Sequence, residues 1–143
     1  MLEDMEKCIE ENINSFNSKV RVLVLKSEGK HFTVGLDIAT VSQISNGAKD
    51  INAEEDGDDT AKDDPARKSI RIEEFTINYL QKSNNSIEKC RVPVICAISG
   101  YCLGAGIDVS SACDIRLCSR DTKFAIKEID IGVCADFGTI QRM

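Results

Sequence analysis

Two glycine-containing loops are the segments of this sequence most suited to holding a negatively charged group. Gly104 and Gly106 flank Ala105, just ahead of an apolar segment that we predict to be a short helix over residues 107–112. Small residues let a ligand approach the backbone there, and the free N–H groups and dipole of the following helix favour negative charge. A similar loop, residues 34–37 (VGLD), could supply a second N–H donor. Together the loops would form a two-donor oxyanion site.

Three carboxylates near these loops could carry protons. Asp108, Glu128 and Asp136 each adjoin apolar or small residues, whereas the acids of residues 54–64 are surrounded by further charge. Carboxylates in apolar surroundings gain raised pKa values and become useful general acids and bases. An arbitrary acid is far more often a solvated surface residue. Spacing alone therefore leaves the surface interpretation open.

Other kinds of active site find little support in the sequence. His31 is the single histidine, which disfavours nucleophilic catalysis and leaves a structural use as the expectation. A dinucleotide fingerprint starting at Gly104 would need a third glycine where Val109 stands. The seven cysteines include no C-x-x-C pair, so we expect mostly buried free thiols and no metal site.

Hydrophobic periodicity predicts one α/β domain in which helices alternate with buried strands. We predict helices over residues 2–17 and 70–90, and strands over residues 20–25, 94–98 and 115–118, with a fourth short strand at 124–126. Such alternation favours parallel pairing through right-handed crossovers. The three longer strands are therefore expected in one parallel sheet.

The charge of the chain is concentrated in one segment. Residues 54–64 hold seven of the acids of a chain whose formal charge is −6, and we expect residues 40–68 to form a variable surface excursion, with 45–66 mobile. Acidic composition without basic clusters disfavours nucleic acid as a partner. No apolar run reaches the 18 or so residues of a membrane span, so none is expected.

Three segments of the sequence resemble signatures of the crotonase (enoyl-CoA hydratase/isomerase) superfamily. The segment GYCLGAGIDVSSACDIRLCS resembles its second signature, and KHFTVGLDIA resembles its first oxyanion loop. The segment FAIKEIDIGVCADFGTIQRM resembles the delta(3,5)-delta(2,4)-dienoyl-CoA isomerases. The resemblance implies a crotonase-like ββα superhelix core over residues 1–143, truncated at both ends. The family's N-terminal strand hairpin and C-terminal helices are then expected to be absent.

The resemblance also implies a role for each candidate residue. It places the oxyanion-hole N–H groups on Leu36 and Ala105, the base at C2 on Glu128 and the acid at C6 on Asp136, and it leaves the role of Asp108 open. The glycines expected to contact the substrate are Gly35, Gly104 and Gly106.

The implied function is isomerisation of a 3,5-dienoyl-CoA to a 2,4-dienoyl-CoA in fatty acid β-oxidation. The partner would be an acyl-CoA thioester, whose coenzyme A is part of the substrate. The resemblance further implies a trimer or a dimer of trimers, in the mitochondrial matrix or the peroxisome. Two alternatives stay open: an enoyl-CoA hydratase using Asp108 and Glu128, and a non-catalytic crotonase-fold protein that binds an acyl-CoA or a protein.

Overall fold

The computed structural model describes residues 2–35, 37, 39, 65–131, 134, 135 and 137–143. Its strands are β1 (Leu23–Lys26), β2 (Val94–Ile98), β3 (Tyr101–Leu103), β4 (Ile115–Cys118) and β5 (Lys123–Ala125). Its α-helices are α1 (Leu2–Cys8), α2 (Pro65–Phe75), α3 (Lys82–Glu88), α4 (Ala105–Ser111) and α5 (Thr139–Arg142). Turns of π-helix extend α1 over Ile9–Ile13 and join α2 to α3 over Thr76–Gln81, and a 3₁₀ turn spans Glu128–Ile131.

The predicted parallel sheet is confirmed. Strand β2 lies at its centre, paired in parallel with β1 on one side and β4 on the other. Leu23 lies opposite Val94, and Ile95 lies opposite Ile115. Each connection between neighbouring strands passes through helical segments, as parallel pairing requires. The α/β prediction is therefore correct for the part of the chain that the structure describes.

Strand β1 begins later than the sequence predicted. Val20 and Val22 are exposed and precede the strand, which starts at Leu23. The Leu23 N–H donates to the carbonyl of Pro93 at 2.9 Å, and Pro93 has no N–H with which to extend the ladder further back. Proline on the neighbouring chain segment thus sets where the pairing starts.

A second, two-stranded parallel sheet was missed by the sequence prediction. It pairs β3 with β5, with Tyr101 opposite Lys123 and Leu103 opposite Ala125. We predicted a strand at residues 124–126, one residue later than β5, and we interpreted the β3 residues as part of a glycine loop. Three residues between glycines are too few to show a strand period.

The helix boundaries also differ from the predictions. The first helix ends at Ile13 rather than residue 17, and Phe16 is 100% exposed instead of lying on the apolar face. The Arg91 guanidinium donates to the Ile13 carbonyl, which occupies an acceptor that a longer helix would need. Helix α2 begins at Pro65, a favoured first helical residue, and so starts within residues 40–68, where we predicted a variable surface excursion. All of the predicted mobile segment, residues 45–66, except its last two residues lies outside the described residues.

One core cluster joins the central strand to the helices. Val94, Cys96 and Ile98 of β2 are buried at alternate positions, as expected for one face of a strand. They pack in a cluster with apolar side chains of the helical segments, among them Ile9 and Ile87. No helix in the described parts of the chain is long and apolar enough to cross a membrane.

The cysteines are less buried than we expected. Three of them are buried, namely Cys96, Cys102 and Cys113. Cys90 is half-buried, and the exposed ones are Cys8, Cys118 and Cys134. Apolar neighbours in the sequence did not reveal that all four residues of β4, where Cys118 lies, are exposed. The prediction of mostly buried thiols was therefore wrong for these exposed positions.

Truncation of a core isoleucine should destabilise the fold far more than truncation of an exposed one. Ile87 is 2% exposed in the core cluster, whereas Ile70, also helical, is 54% exposed. We expect Ile87→Ala to lower the free energy of unfolding by about 2–5 kcal/mol, because it leaves a cavity. Ile70→Ala should change it by about 0.5 kcal/mol or less. Equal losses in denaturant titrations of the two variants would contradict this core.

Cysteine alkylation should follow burial. With iodoacetamide under native conditions, we expect Cys8, Cys118 and Cys134 to react first, because their thiols are exposed. Cys96 and Cys102 should react only when the protein is unfolded. Mass spectrometry of peptides taken over a time course gives the order. Rapid native labelling of Cys96 would show that β2 does not lie in the core.

Candidate active site

Backbone hydrogen bonds bring the two glycine loops together. Thr33 donates its N–H to the Tyr101 carbonyl at 3.0 Å and accepts from the Leu103 N–H at 3.1 Å. The first loop is thereby aligned in parallel alongside β3, which leads directly into the second loop. As a result, a Cβ placed on Gly104 would lie 3.6 Å from the Gly35 Cα. The predicted meeting of the two loops is confirmed at these glycines.

Gly104 occupies a backbone conformation and a space that suit no other residue well. Its φ is 53° and its ψ is −124°, a region that L side chains rarely adopt. An added Cβ would also lie 3.0 Å from Oε1 of Glu128. The Gly104 N–H donates to the Ala125 carbonyl at 2.9 Å, which fixes the turn to β5. The absence of a side chain at Gly104 thus leaves room for the Glu128 carboxyl.

Only one of the two predicted oxyanion-hole residues lies within the described part of the chain. Ala105 is the first residue of α4, so its N–H lies in the first turn, where a helix provides no acceptor of its own. Leu36 lies outside the described residues. Gly35 has a φ of 103°, and its N–H donates to the Thr33 hydroxyl at 3.2 Å. Convergence of the Leu36 and Ala105 N–H groups stays a prediction.

Gly106 has a packing reason to be glycine. We predicted it in the loop before the helix, but α4 begins at Ala105 and includes it. A Cβ on Gly106 would collide with the Thr33 methyl group and approach the Cys102 Sγ to 3.2 Å. Its lack of a side chain therefore lets α4 pack closely on the first loop. Its contact with substrate stays a prediction.

Glu128 presents its carboxyl to the Gly104 turn from the first position of the 3₁₀ turn after β5. The residue is only 9% exposed. Its Oε2 atom is buried and has no hydrogen-bond partner among the described residues. A buried carboxylate oxygen without a partner costs free energy, and such atoms are uncommon in folded proteins. This oxygen therefore keeps a hydrogen-bonding capacity that the described residues do not use.

Asp108 is fully buried in α4, one turn beyond Gly104. Its Oδ1 accepts two hydrogen bonds from Thr139, from the hydroxyl at 2.6 Å and from the backbone N–H at 2.9 Å. Its Oδ2 is buried and, like Oε2 of Glu128, has no partner among the described residues. Neither carboxylate forms an ion pair with a described residue. The site therefore contains two buried acids, each with one unengaged oxygen.

The third predicted acid, Asp136, lies outside the described residues, but its neighbours are well anchored. The Phe137 carbonyl accepts a hydrogen bond from the buried Asn84 side chain at 3.0 Å. Thr139, two residues further on, binds Asp108. Sequence reasoning missed both Asn84 and Thr139. A threonine after glycine is a recognisable helix-start signal, whereas Asn84 lies in a polar stretch typical of a solvated helix face.

The remaining reactive side chains are poorly placed for catalysis. The His31 ring stacks on Tyr101, and its Nδ1 accepts the Tyr101 N–H at 3.2 Å, which agrees with a structural use. Burial raises the pKa of the Cys102 thiol. A hydrogen bond to Cys113, together with burial, raises the pKa of the Cys96 thiol. These two thiols therefore stay protonated and weakly nucleophilic.

Comparison with known proteins agrees with this geometry. The enoyl-CoA hydratase/isomerase family model matches residues 1–142. The chain belongs to this family. A peroxisomal delta(3,5)-delta(2,4)-dienoyl-CoA isomerase of Arabidopsis thaliana is 41% identical over 127 residues, which cover 89% of this chain and 41% of the relative. The mitochondrial isomerase of Homo sapiens is 39% identical over 140 residues, covering 98% of this chain and 38% of the relative.

Solved structures give the same fold assignment. A protein from Thermobifida fusca, described as an enoyl-CoA hydratase in complex with acetoacetyl-CoA, superposes with a TM-score of 0.71 at 20% identity. The match covers 99% of this chain and 49% of that one. The crotonase-like fold prediction is confirmed. The chain spans about two-fifths of the length of the two isomerases that it matches.

Substitution of Gly104 tests the turn that leaves room for the Glu128 carboxyl. We expect Gly104→Ala to lower the free energy of unfolding by about 1–3 kcal/mol, because alanine is strained at this φ and ψ and crowds Glu128. Gly29→Ala is the matched control. Its Cβ would meet nothing nearer than the Ser27 hydroxyl at 3.5 Å, and its backbone needs no positive φ. Thermal or denaturant unfolding gives both values, and equal stability of the two variants would contradict the turn geometry.

Proposed function

We propose that the protein isomerises a 3,5-dienoyl-CoA to a 2,4-dienoyl-CoA. The observation that supports this most is the pair of buried acids, Asp108 and Glu128, beside the Gly104 turn, each with one oxygen unengaged among the described residues. Relatives that are about 40% identical are named as isomerases of this kind. The third acid, Asp136, directly precedes the anchored Phe137.

The reaction requires two proton transfers at separated carbons. Glu128 would remove a proton from C2, next to the thioester, and the resulting trienolate, conjugated from the thioester to C6, would carry its charge on the thioester oxygen. Asp136 would then deliver a proton to C6, which places the double bonds at C2 and C4. Two carboxylates at different points along the acyl chain can perform both steps, with Glu128 gaining the proton that Asp136 loses.

The trienolate would be stabilised at the glycine loops. Backbone N–H groups of Leu36 and Ala105 would donate to the thioester oxygen as its negative charge develops. Removal of one such donor in other enzymes costs roughly 10²- to 10³-fold in kcat. The glycines Gly35 and Gly104 would let the thioester approach the backbone closely enough for these bonds.

Hydration of a 2-enoyl-CoA is the second candidate function. It would use Asp108 and Glu128 to bind and activate a water molecule, and the burial of both acids supports this use equally well. It gives no role to Asp136. A non-catalytic protein that binds an acyl-CoA or a protein partner would need neither unengaged oxygen, so the buried acids argue against it.

We propose the ligand, the assembly and the compartment from the same family resemblance. The ligand would be an acyl-CoA thioester, with no cofactor besides the coenzyme A of the substrate. The assembly would be a trimer or a dimer of trimers. The relatives carry mitochondrial and peroxisomal names, and we propose one of these compartments for this protein.

Two substrates separate the candidate functions. The full-length protein should convert a 3,5-dienoyl-CoA to a conjugated 2,4-dienoyl thioester, which is followed by the rise in its absorbance. It should hydrate a 2-enoyl-CoA far more slowly. Dominant hydration would replace the proposal with the hydratase function. Binding of both thioesters without turnover of either would support the non-catalytic alternative.

Amide substitution of the two proposed proton carriers should abolish isomerisation. We expect Asp136→Asn and Glu128→Gln each to lower kcat by about 10²- to 10⁴-fold, because an amide cannot exchange the proton. KM should change little. The matched control is Asp130→Asn, whose exposed carboxylate pairs with Lys127 at 2.6 Å. Near-normal isomerisation by Asp136→Asn would remove that acid from the mechanism.

A further inference from the structure

Thr139 forms two hydrogen bonds that link the helix that carries Asp108 to the segment that follows Asp136. Its hydroxyl and its backbone N–H both donate to the same carboxylate oxygen, Oδ1 of Asp108, at 2.6 and 2.9 Å. Both residues are buried, Thr139 at 2% exposure and Asp108 at 0%. Hydrogen bonds to a buried carboxylate are strong because little water competes for it.

We propose that Thr139 is a positioning residue for the Asp108 carboxyl. By engaging Oδ1, it fixes the rotation of this carboxyl and leaves Oδ2 as the oxygen that can meet a substrate or a water molecule. The same contact joins α4 to the first residue of α5. The inference rests on the proposed function, because it assigns Thr139 a part in that reaction.

The turn that carries Thr139 is held from a second side, which makes such positioning effective. Asn84 of α3 donates its side-chain amide to the Phe137 carbonyl at 3.0 Å. Arg142 of α5 binds Glu88 at 2.6 Å and Asn85 at 3.0 Å, both also in α3. Because α5 is fixed to α3, the hydroxyl and the N–H of Thr139 cannot move together with the Asp108 carboxyl. The carboxyl must instead adopt the orientation that these donors set.

A purely structural role for Thr139 is the competing explanation. Asp108 would then simply satisfy the first N–H of the short helix α5, as a capping carboxylate does. That role predicts lower stability in Thr139 variants with unchanged turnover. The positioning role predicts that kcat falls while KM is kept, because an Asp108 carboxyl displaced by a fraction of an ångström still permits binding but presents Oδ2 wrongly to the reacting groups.

The test compares variants that differ by one hydroxyl group. Thr139→Ser keeps the hydroxyl, whereas Thr139→Ala and Thr139→Val lose it. We expect kcat for 3,5-dienoyl-CoA isomerisation to fall roughly 10- to 100-fold in the Ala and Val variants, with KM within about threefold of the wild type. Thr139→Ser should restore most of the rate. The control is Thr122→Val, which removes a hydroxyl bonded to the Ile98 carbonyl at 3.3 Å.

The outcomes distinguish the positioning role of Thr139 from the proposed isomerase function. If the wild type isomerises and Thr139→Val does so equally fast, the positioning role is wrong and the proposed function stands. If Ser and Ala variants are equally slow, the hydroxyl is not the cause and the positioning role is also wrong. A wild type that hydrates but does not isomerise overturns the proposed function.

A double-mutant cycle tests the contact without any assay of activity. We expect Thr139→Val to change the unfolding equilibrium constant about tenfold less in an Asp108→Leu background than in the wild type, because leucine offers the Thr139 hydroxyl no acceptor. Equal effects in both backgrounds would show that the Thr139 hydroxyl does not act through Asp108. This result would overturn the inference whether or not the protein isomerises its substrate.

Discussion

The hydrogen bonds between Thr139 and the buried carboxyl of Asp108 hold the described site together. A carboxyl removed from water must be compensated by hydrogen bonds, and the described residues compensate only one of its two oxygens. The uncompensated oxygen costs on the order of 1–3 kcal/mol. Hydrophobic residues of similar size would avoid that cost. Retention of the acid is best explained by a use for its free oxygen in chemistry.

The backbone around the acids follows from the parallel topology. The first loop pairs with β3 through the Thr33 backbone, and β3 leads into Gly104, so backbone hydrogen bonds bring both loops to the same place. Gly104 then turns the chain through a conformation that only glycine adopts easily, and this turn accommodates the Glu128 carboxyl. Helix α4 starts at once after the turn and places Asp108 one helical turn away. Sheet, turn and helix together position the two acids.

The sequence predicted the strands that are continuous apolar runs and missed those that are not. Residues 94–98 match β2 because five apolar residues follow a proline, whereas β3 is too short to show any period. The end of the first helix depends on Arg91, far along the chain, and no local pattern reveals that contact. Long-range contacts of this kind decide element boundaries more often than local propensity does.

The candidate acids could be predicted only in part. Spacing alone could not separate Glu128 from a surface carboxylate, and the family resemblance selected it before the structure showed its burial. Thr139 and Asn84 act by hydrogen bonds to distant partners, so their importance is invisible in their immediate neighbours. Leu36 and Asp136 lie outside the described residues, and their roles remain predictions.

Isomerisation in D₂O tests the central claim most directly, namely that separate carboxylates remove one proton and deliver another. If Glu128 takes the C2 proton and Asp136 supplies a different one, the 2,4-dienoyl product should carry solvent deuterium at C6, because an acid that awaits substrate exchanges its proton with water. Mass spectrometry and NMR of the product locate the label. A product that carries the original substrate proton at C6, without deuterium, would show that one carboxylate transports a single proton along the chain, which would contradict the account.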